Sequence, residues 1–137
     1  DTRALAAANR LEVEAIEADL FTLDPARVGT FDVLVEHTCF CAIQPSRRGD
    51  YLEAAHRVLK PGGLLFARLA SSIGIEGRVE ALGGGRYHLP DGSDRFLATE
   101  ELLAALTAEL GGVPFEPLKT VNVAHQRCMT TWCLMRE

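Results

Sequence analysis

The hydrophobic period changes twice between Phe31 and Leu69, and few architectures tolerate that. "FDVLVE", residues 31 to 36, is a β-rich and nearly unbroken apolar run. Such continuity predicts a strand buried on both faces. From Ser46 the pattern becomes helical. Tyr51, Leu52, Ala55, Val58 and Leu59 stand at i, i+1, i+4, i+7 and i+8, on one face of a helix over 46–59. Pro45-Ser46 starts it, Lys60-Pro61-Gly62-Gly63 stops it, and "LLFARL", 64 to 69, reads as a second strand. Two strands separated by one helix form a right-handed crossover with the strands parallel.

The remaining elements extend that unit. An alanine-rich stretch, Leu5 to Ala8, reads as the tail of a helix. "VEAIEAD" predicts a strand over 14–18 that ends at Asp19. Residues 70–97 are rich in glycine and polar groups, with "GGGRYHLPDG" as a loose hairpin, and read as a functional loop or lid. Thr99 caps a helix whose Leu102, Leu103, Leu106 and Leu110 share a face, and Gly111 ends it. Strands at 115–123 and 129–136, joined through His125-Gln126-Arg127, close the chain. The order predicts an α/β fold: a doubly wound, mostly parallel, Rossmann-like sheet with an antiparallel last strand. The 137 residues are long enough for one domain with its own core.

Composition narrows the partners. Fourteen basic against nineteen acidic residues leave a net charge of -5, so no basic footprint marks a nucleic-acid partner. No apolar run reaches the ~18 residues that cross a bilayer, so no membrane partner is expected. "DTRALAAANR" lacks the basic and apolar regions of a signal peptide. The four cysteines therefore read as reduced thiols in a cytoplasmic protein.

"VEHTCFC", residues 35 to 41, gathers a carboxylate, an imidazole and two thiols at the end of a strand. In an extended chain His37, Cys39 and Cys41 share a side, and Cys128 would make a fourth zinc ligand. The spacing matches no paired C-x₂-C arrangement, and no metal is expected. A cysteine nucleophile with His37 as base lacks an orienting third group. A strand-to-helix turn with two core cysteines is the plainest alternative. The reading carried forward is the wall of a ligand pocket, because ligands of open α/β sheets bind at the carboxyl ends of the strands.

The run "FDVLVEHTCFCAIQPSRRGDYLEAAHRVLKPGGLLFARL" resembles class I S-adenosylmethionine-dependent methyltransferases, most closely the thiopurine S-methyltransferase-like branch. The resemblance is carried by Phe31-Asp32, Glu36, Ala42-Ile43, Pro45, Arg48, Tyr51 and the Lys60-Pro61-Gly62-Gly63 turn. It implies S-adenosylmethionine as cofactor and a small-molecule methyl acceptor, a thiol or similarly soft nucleophile. It also implies that Asp19 meets the adenine amino group, with Leu20 and Phe21 beside the ring. Glu36, His37 and Thr38 then face the methionine part, and Phe40, Cys41 and His125 the acceptor. His37 and His88 are the candidate bases should the acceptor be oxygen or nitrogen. The glycine-rich turn and the ribose-binding acid of the fold are absent, and Gly83-Gly84-Gly85 stands in the wrong place to replace them. The expectation is that roughly two N-terminal βα units are missing, to be supplied by upstream sequence or a partner chain. Their absence also motivates an alternative, a non-catalytic methyltransferase-like binding module.

Overall fold

The computed structural model describes residues 1–114, 116–123 and 127–137. A short helix, α1 (Thr2–Ala8), is capped by Asp1, whose Oδ1 accepts the Arg3 N–H at 2.9 Å. A second, α2 (Pro25–Val28), is capped the same way by Asp24. Between them the expected strand at 14–18 does not form. The alternation of "VEAIEAD" fits a pleat, but no ladder reaches these residues, and Val13 and Ile16 stay exposed. Alternation makes a segment eligible for a sheet; a neighbouring strand edge makes it a strand.

The main sheet starts from the predicted crossover. Strand β1 (Phe31–His37) leads through α3 (Arg48–Val58) into β2 (Leu59–Ser71), and the two strands are parallel, with Leu34 opposite Leu65 and Glu36 opposite Ala67. The second strand begins earlier than expected, because Lys60-Pro61-Gly62-Gly63 lies inside β2, beside a register irregularity between Phe31 and Val33. A small antiparallel sheet follows, made of β3 (Glu80–Gly83), β4 (Arg86–His88) and β5 (Asp94–Phe96). Thus 70–97, expected as a loop or lid with a loose hairpin at 83–92, carries a three-stranded sheet over 80–96. Gly84 and Gly85, at φ of 61° and 78°, make its first turn, a conformation that side chains with a Cβ resist. Ala98 ties it to the main sheet by donating to the Ala70 carbonyl and accepting from the Ser72 N–H, each at 2.9 Å.

Helix α4 (Glu100–Leu110) begins at Thr99, whose hydroxyl accepts the Leu102 N–H, and ends at Gly111 in the left-handed conformation. Of the expected strand at 115–123, β7 (Lys119–Val123) forms, and a separate short strand, β6 (Val113–Pro114), precedes that span, with Pro117 between the two. Phe115 and the connection at His125-Gln126 lie outside the described residues. The last strand, β8 (Arg127–Met135), runs antiparallel to β2, as expected, and also pairs with β6 and β7. The sheet order is β1-β2-β8-β6, parallel at its start and antiparallel through its end.

One face of this sheet is the core. Leu65, Ala67, Leu69, Trp132 and Leu134 pack against Tyr51 and Leu52 of α3 and Leu103 and Leu106 of α4. Trp132 also donates its indole N–H to the Thr107 hydroxyl on α4 at 3.1 Å. Contrary to expectation, β1 is buried on one face only. Phe31, Val33 and Val35 are 41%, 49% and 74% exposed, while Leu34 and Glu36 turn inward. An apolar run shows that both faces would suit burial, but cover depends on what stands opposite. Among the described residues only β2 pairs with β1.

Candidate functional site

The site lies where β1 gives out. Glu36, the last inward residue of the strand, is buried and accepts the Phe40 N–H at 2.7 Å through Oε2. Burial pushes its carboxyl pKa up, while the Phe40 and Cys39 amides pull the other way. Its second oxygen, Oε1, has no hydrogen-bond partner among the described residues. The bond to Phe40 folds the chain back over the strand end and starts a 3₁₀ turn over Phe40–Ala42. Thr38 sits in that reversal at φ 60°, where β-branched residues are rare. Its N–H reaches the Arg68 carbonyl of β2 at 2.9 Å, so the turn is stitched to the neighbouring strand.

Outside the turn lies a cavity of about 610 Å³. Its wall includes His37 from the end of β1, Thr38 and Cys41 from the turn that follows it, Arg68 and Ala70 from β2, Arg95 and Phe96 from β5, and Cys128 and Met129 from β8. Four strands far apart in sequence thus converge at the carboxyl ends of the parallel pair. The volume falls within the ~300–1,000 Å³ usual for small-molecule sites. Its donors and acceptors (imidazole, hydroxyl, guanidinium, thiol) on an otherwise apolar wall suit a polar, partly hydrophobic molecule. Among the described residues no three His, Cys, Asp or Glu side chains gather as metal ligands would.

The other residues singled out in the sequence fall elsewhere. Asp19 lines a second cleft, of about 500 Å³, with Ile16, Glu17 and Asp24. There its Oδ1 accepts the Phe21 N–H at 2.9 Å and caps the turn over Leu20–Thr22. Phe21 lies 3.6 Å beneath the Arg47 guanidinium, a cation–π contact, and Leu20 is exposed. Phe40 is fully buried between Tyr51 and Trp132, inside the core rather than on the cavity wall. Its ring also lies 4.7 Å from the buried Arg48 guanidinium, which donates to the Ile43 carbonyl. His88 stands on the outer side of the small sheet, 2.7 Å from Asp94 Oδ1, which raises its pKa. His125 lies outside the described residues.

Arg68 and Arg95 were missed in the sequence. Arg68 left a trace, a charge inside the apolar run "LLFARL", on the face opposite Leu65 and Leu69. Arg95 left none, because 70–97 was not read as a sheet that returns to the strand ends.

The model of the thiopurine S-methyltransferase family matches residues 2–76, more than half of the chain. The chain belongs to the thiopurine S-methyltransferase family. A probable thiol methyltransferase 2 from Arabidopsis thaliana is 37% identical to it over 51 residues, which are 37% of this chain and 22% of that protein. Among solved structures, a 1,6-didemethyltoxoflavin-N1-methyltransferase from Burkholderia thailandensis, with 1,6-didemethyltoxoflavin and S-adenosylhomocysteine bound, superposes with a TM-score of 0.73 at 19% identity, over 98% of this chain and 56% of that one. The N-methyltransferase NodS from Bradyrhizobium japonicum, in complex with S-adenosylhomocysteine, gives 0.64 at 16% identity, over 98% and 60%. At such identity these likenesses establish a Rossmann-like methyltransferase fold. This family member spans 22% of the curated relative and 56% and 60% of the two solved chains.

Proposed function

We propose that the protein transfers a methyl group from S-adenosylmethionine to a small soft nucleophile, a thiol. The observation that carries this reading is the cavity at the end of β1, opened by the left-handed Thr38 turn within the segment that matches the family. When bound, the cofactor supplies an electrophilic methyl carbon on a sulfonium sulfur. His37 and Thr38 are the residues placed to hold its methionine part, since both line the cavity beside the strand end. Asp19 would take the adenine amino group with Oδ2, its other oxygen being engaged by the turn.

The protein's own work is to align the two reactants and exclude water. Ala42, Leu89, Leu97 and Met129 supply the apolar wall for this. A thiol ionises easily enough to need little help. His37 lines the cavity and His88 does not, so His37 is the group to receive the acceptor's proton where one must be held. A reducing, cytoplasmic setting suits four free thiols, and no helix among the described residues is long and apolar enough to cross a membrane.

A second reading, a binding module without transfer, draws on the fact that Asp19 lines a different cleft from His37 and Thr38. Calorimetry with S-adenosylhomocysteine on the natural protein, isolated from its own cells, tests both, together with transfer of labelled methyl groups to small thiols. Heat with transfer supports the enzyme; heat without transfer supports the module; no heat removes both.

A further inference from the structure

The cavity wall carries two guanidinium groups, Arg68 and Arg95, and no aspartate or glutamate. That balance is unexpected in a chain with nineteen acidic and fourteen basic residues. Nearby acids are turned to other cations: Asp94 pairs with Arg86 at 3.6 Å and His88 at 2.7 Å. Neither Arg68 nor Arg95 makes an ion pair among the described residues, and Arg95 donates only to the Ser93 hydroxyl, at 3.3 Å. Arg68 is also misplaced as a mere solubilising residue. It interrupts an apolar strand on the side of the sheet that, with Ala70, faces this cavity.

Two uncompensated planar cations from separate sheets, over an apolar floor of Ala42, Ala70, Leu97 and Met129, make a site for an organic anion with a hydrophobic body. A guanidinium matches a carboxylate edge to edge, with two parallel hydrogen bonds. We infer that the methyl acceptor is a thiol bearing a separate carboxylate, which Arg68 and Arg95 hold while the sulfur is presented to the methyl group. The inference rests on the methyl-transfer reading of this cavity and names the substrate class for it.

The test compares 2-mercaptobenzoate with 2-methylbenzenethiol, which has nearly the same shape and no charge. Each is titrated calorimetrically into the natural protein and into Arg68→Ala and Arg95→Ala variants made at its chromosomal locus. The carboxylate should bind at least about 10-fold tighter, each variant should lose most of that advantage, and Arg68→Lys should keep part of it as a point charge. Equal affinities overturn the inference. So does a pair of variants that weaken S-adenosylhomocysteine but leave 2-mercaptobenzoate unchanged, since the arginines would then serve the donor. Methyl transfer is followed in parallel and separates the two levels. A carboxylate preference without any transfer leaves the anion site standing and removes the enzyme reading. Transfer to both thiols without a preference does the reverse.

Discussion

Glu36 has one buried oxygen in a hydrogen bond and one without a partner among the described residues, and both facts bear on stability. Desolvation raises its pKa above the ordinary 4.5 in the folded protein. The folded state therefore holds this proton more tightly than the unfolded state. The associated stability is fully present below the unfolded pKa and is lost as pH rises through the folded one. Urea midpoints at about pH 4.5 and 7.5 should show wild type losing ground to Glu36→Gln as pH rises. A constant difference would mean that the Phe40 and Cys39 amides offset the burial. Thr38 is strained in the opposite sense, as a backbone where a side chain is unwelcome. Thr38→Gly should raise stability by about 1 kcal/mol in a thermal melt. The same change should weaken S-adenosylhomocysteine binding, because a looser turn no longer presets the cavity wall. Unchanged affinity would make the turn a purely structural feature.

At the scale of elements, the contact between β1 and β2 depends on a missing side chain. A Cβ at Gly63 would meet the Lys60 carbonyl at 2.8 Å, Leu59 Cδ1 at 2.9 Å and the Asp32 carbonyl at 3.0 Å. Two of these are backbone atoms, one in β2 itself and one, the Asp32 carbonyl oxygen, in β1, so the local backbone and its pairing with β1 would have to shift. Gly63→Ala should cost about 1–3 kcal/mol in chemical denaturation, as an overpacked contact does. Little or no loss would show that the irregularity at Phe31–Val33 absorbs the methyl group. Helix α4 depends on Leu103, fully buried against the sheet. Leu103→Ala should cost about 2–5 kcal/mol, against about 1 kcal/mol for removing the cap with Thr99→Ala. If the two losses came out equal, the cap rather than packing would hold the helix.

For the molecule as a whole, the open feature is the outer edge of β1. Val33 and Val35 are exposed, and no strand pairs with that edge among the described residues. Unpaired apolar edges recruit strands from other chains. Residues 1–137 by themselves are therefore expected to self-associate at micromolar concentration in analytical ultracentrifugation. Val35→Lys, which sets a charge beside the edge, should shift the population towards monomer. A wild-type chain that stays monomeric throughout would show that the edge is protected.

Periodicity and punctuation determined the local elements. The switch at Ser46 defined α3, Thr99 and Gly111 bounded α4, and the β-rich runs located β1, the body of β2 and β8. Each of these is written in residues close together in the chain, so the sequence could show it. The turn at Glu36–Thr38 was legible for the same reason. What required the tertiary structure depends on partners distant in sequence. The segment 14–18 alternates correctly but no edge meets it, and β1 is apolar throughout but only one of its faces is covered. Residues 70–97 became a sheet because Ala98 hydrogen-bonds to Ala70 and Ser72, a closure that glycine-rich composition does not announce. Arg68 and Arg95 met at one cavity by the same route. A side chain's type is local, but the field it shares with another side chain is set by the path of the backbone between them.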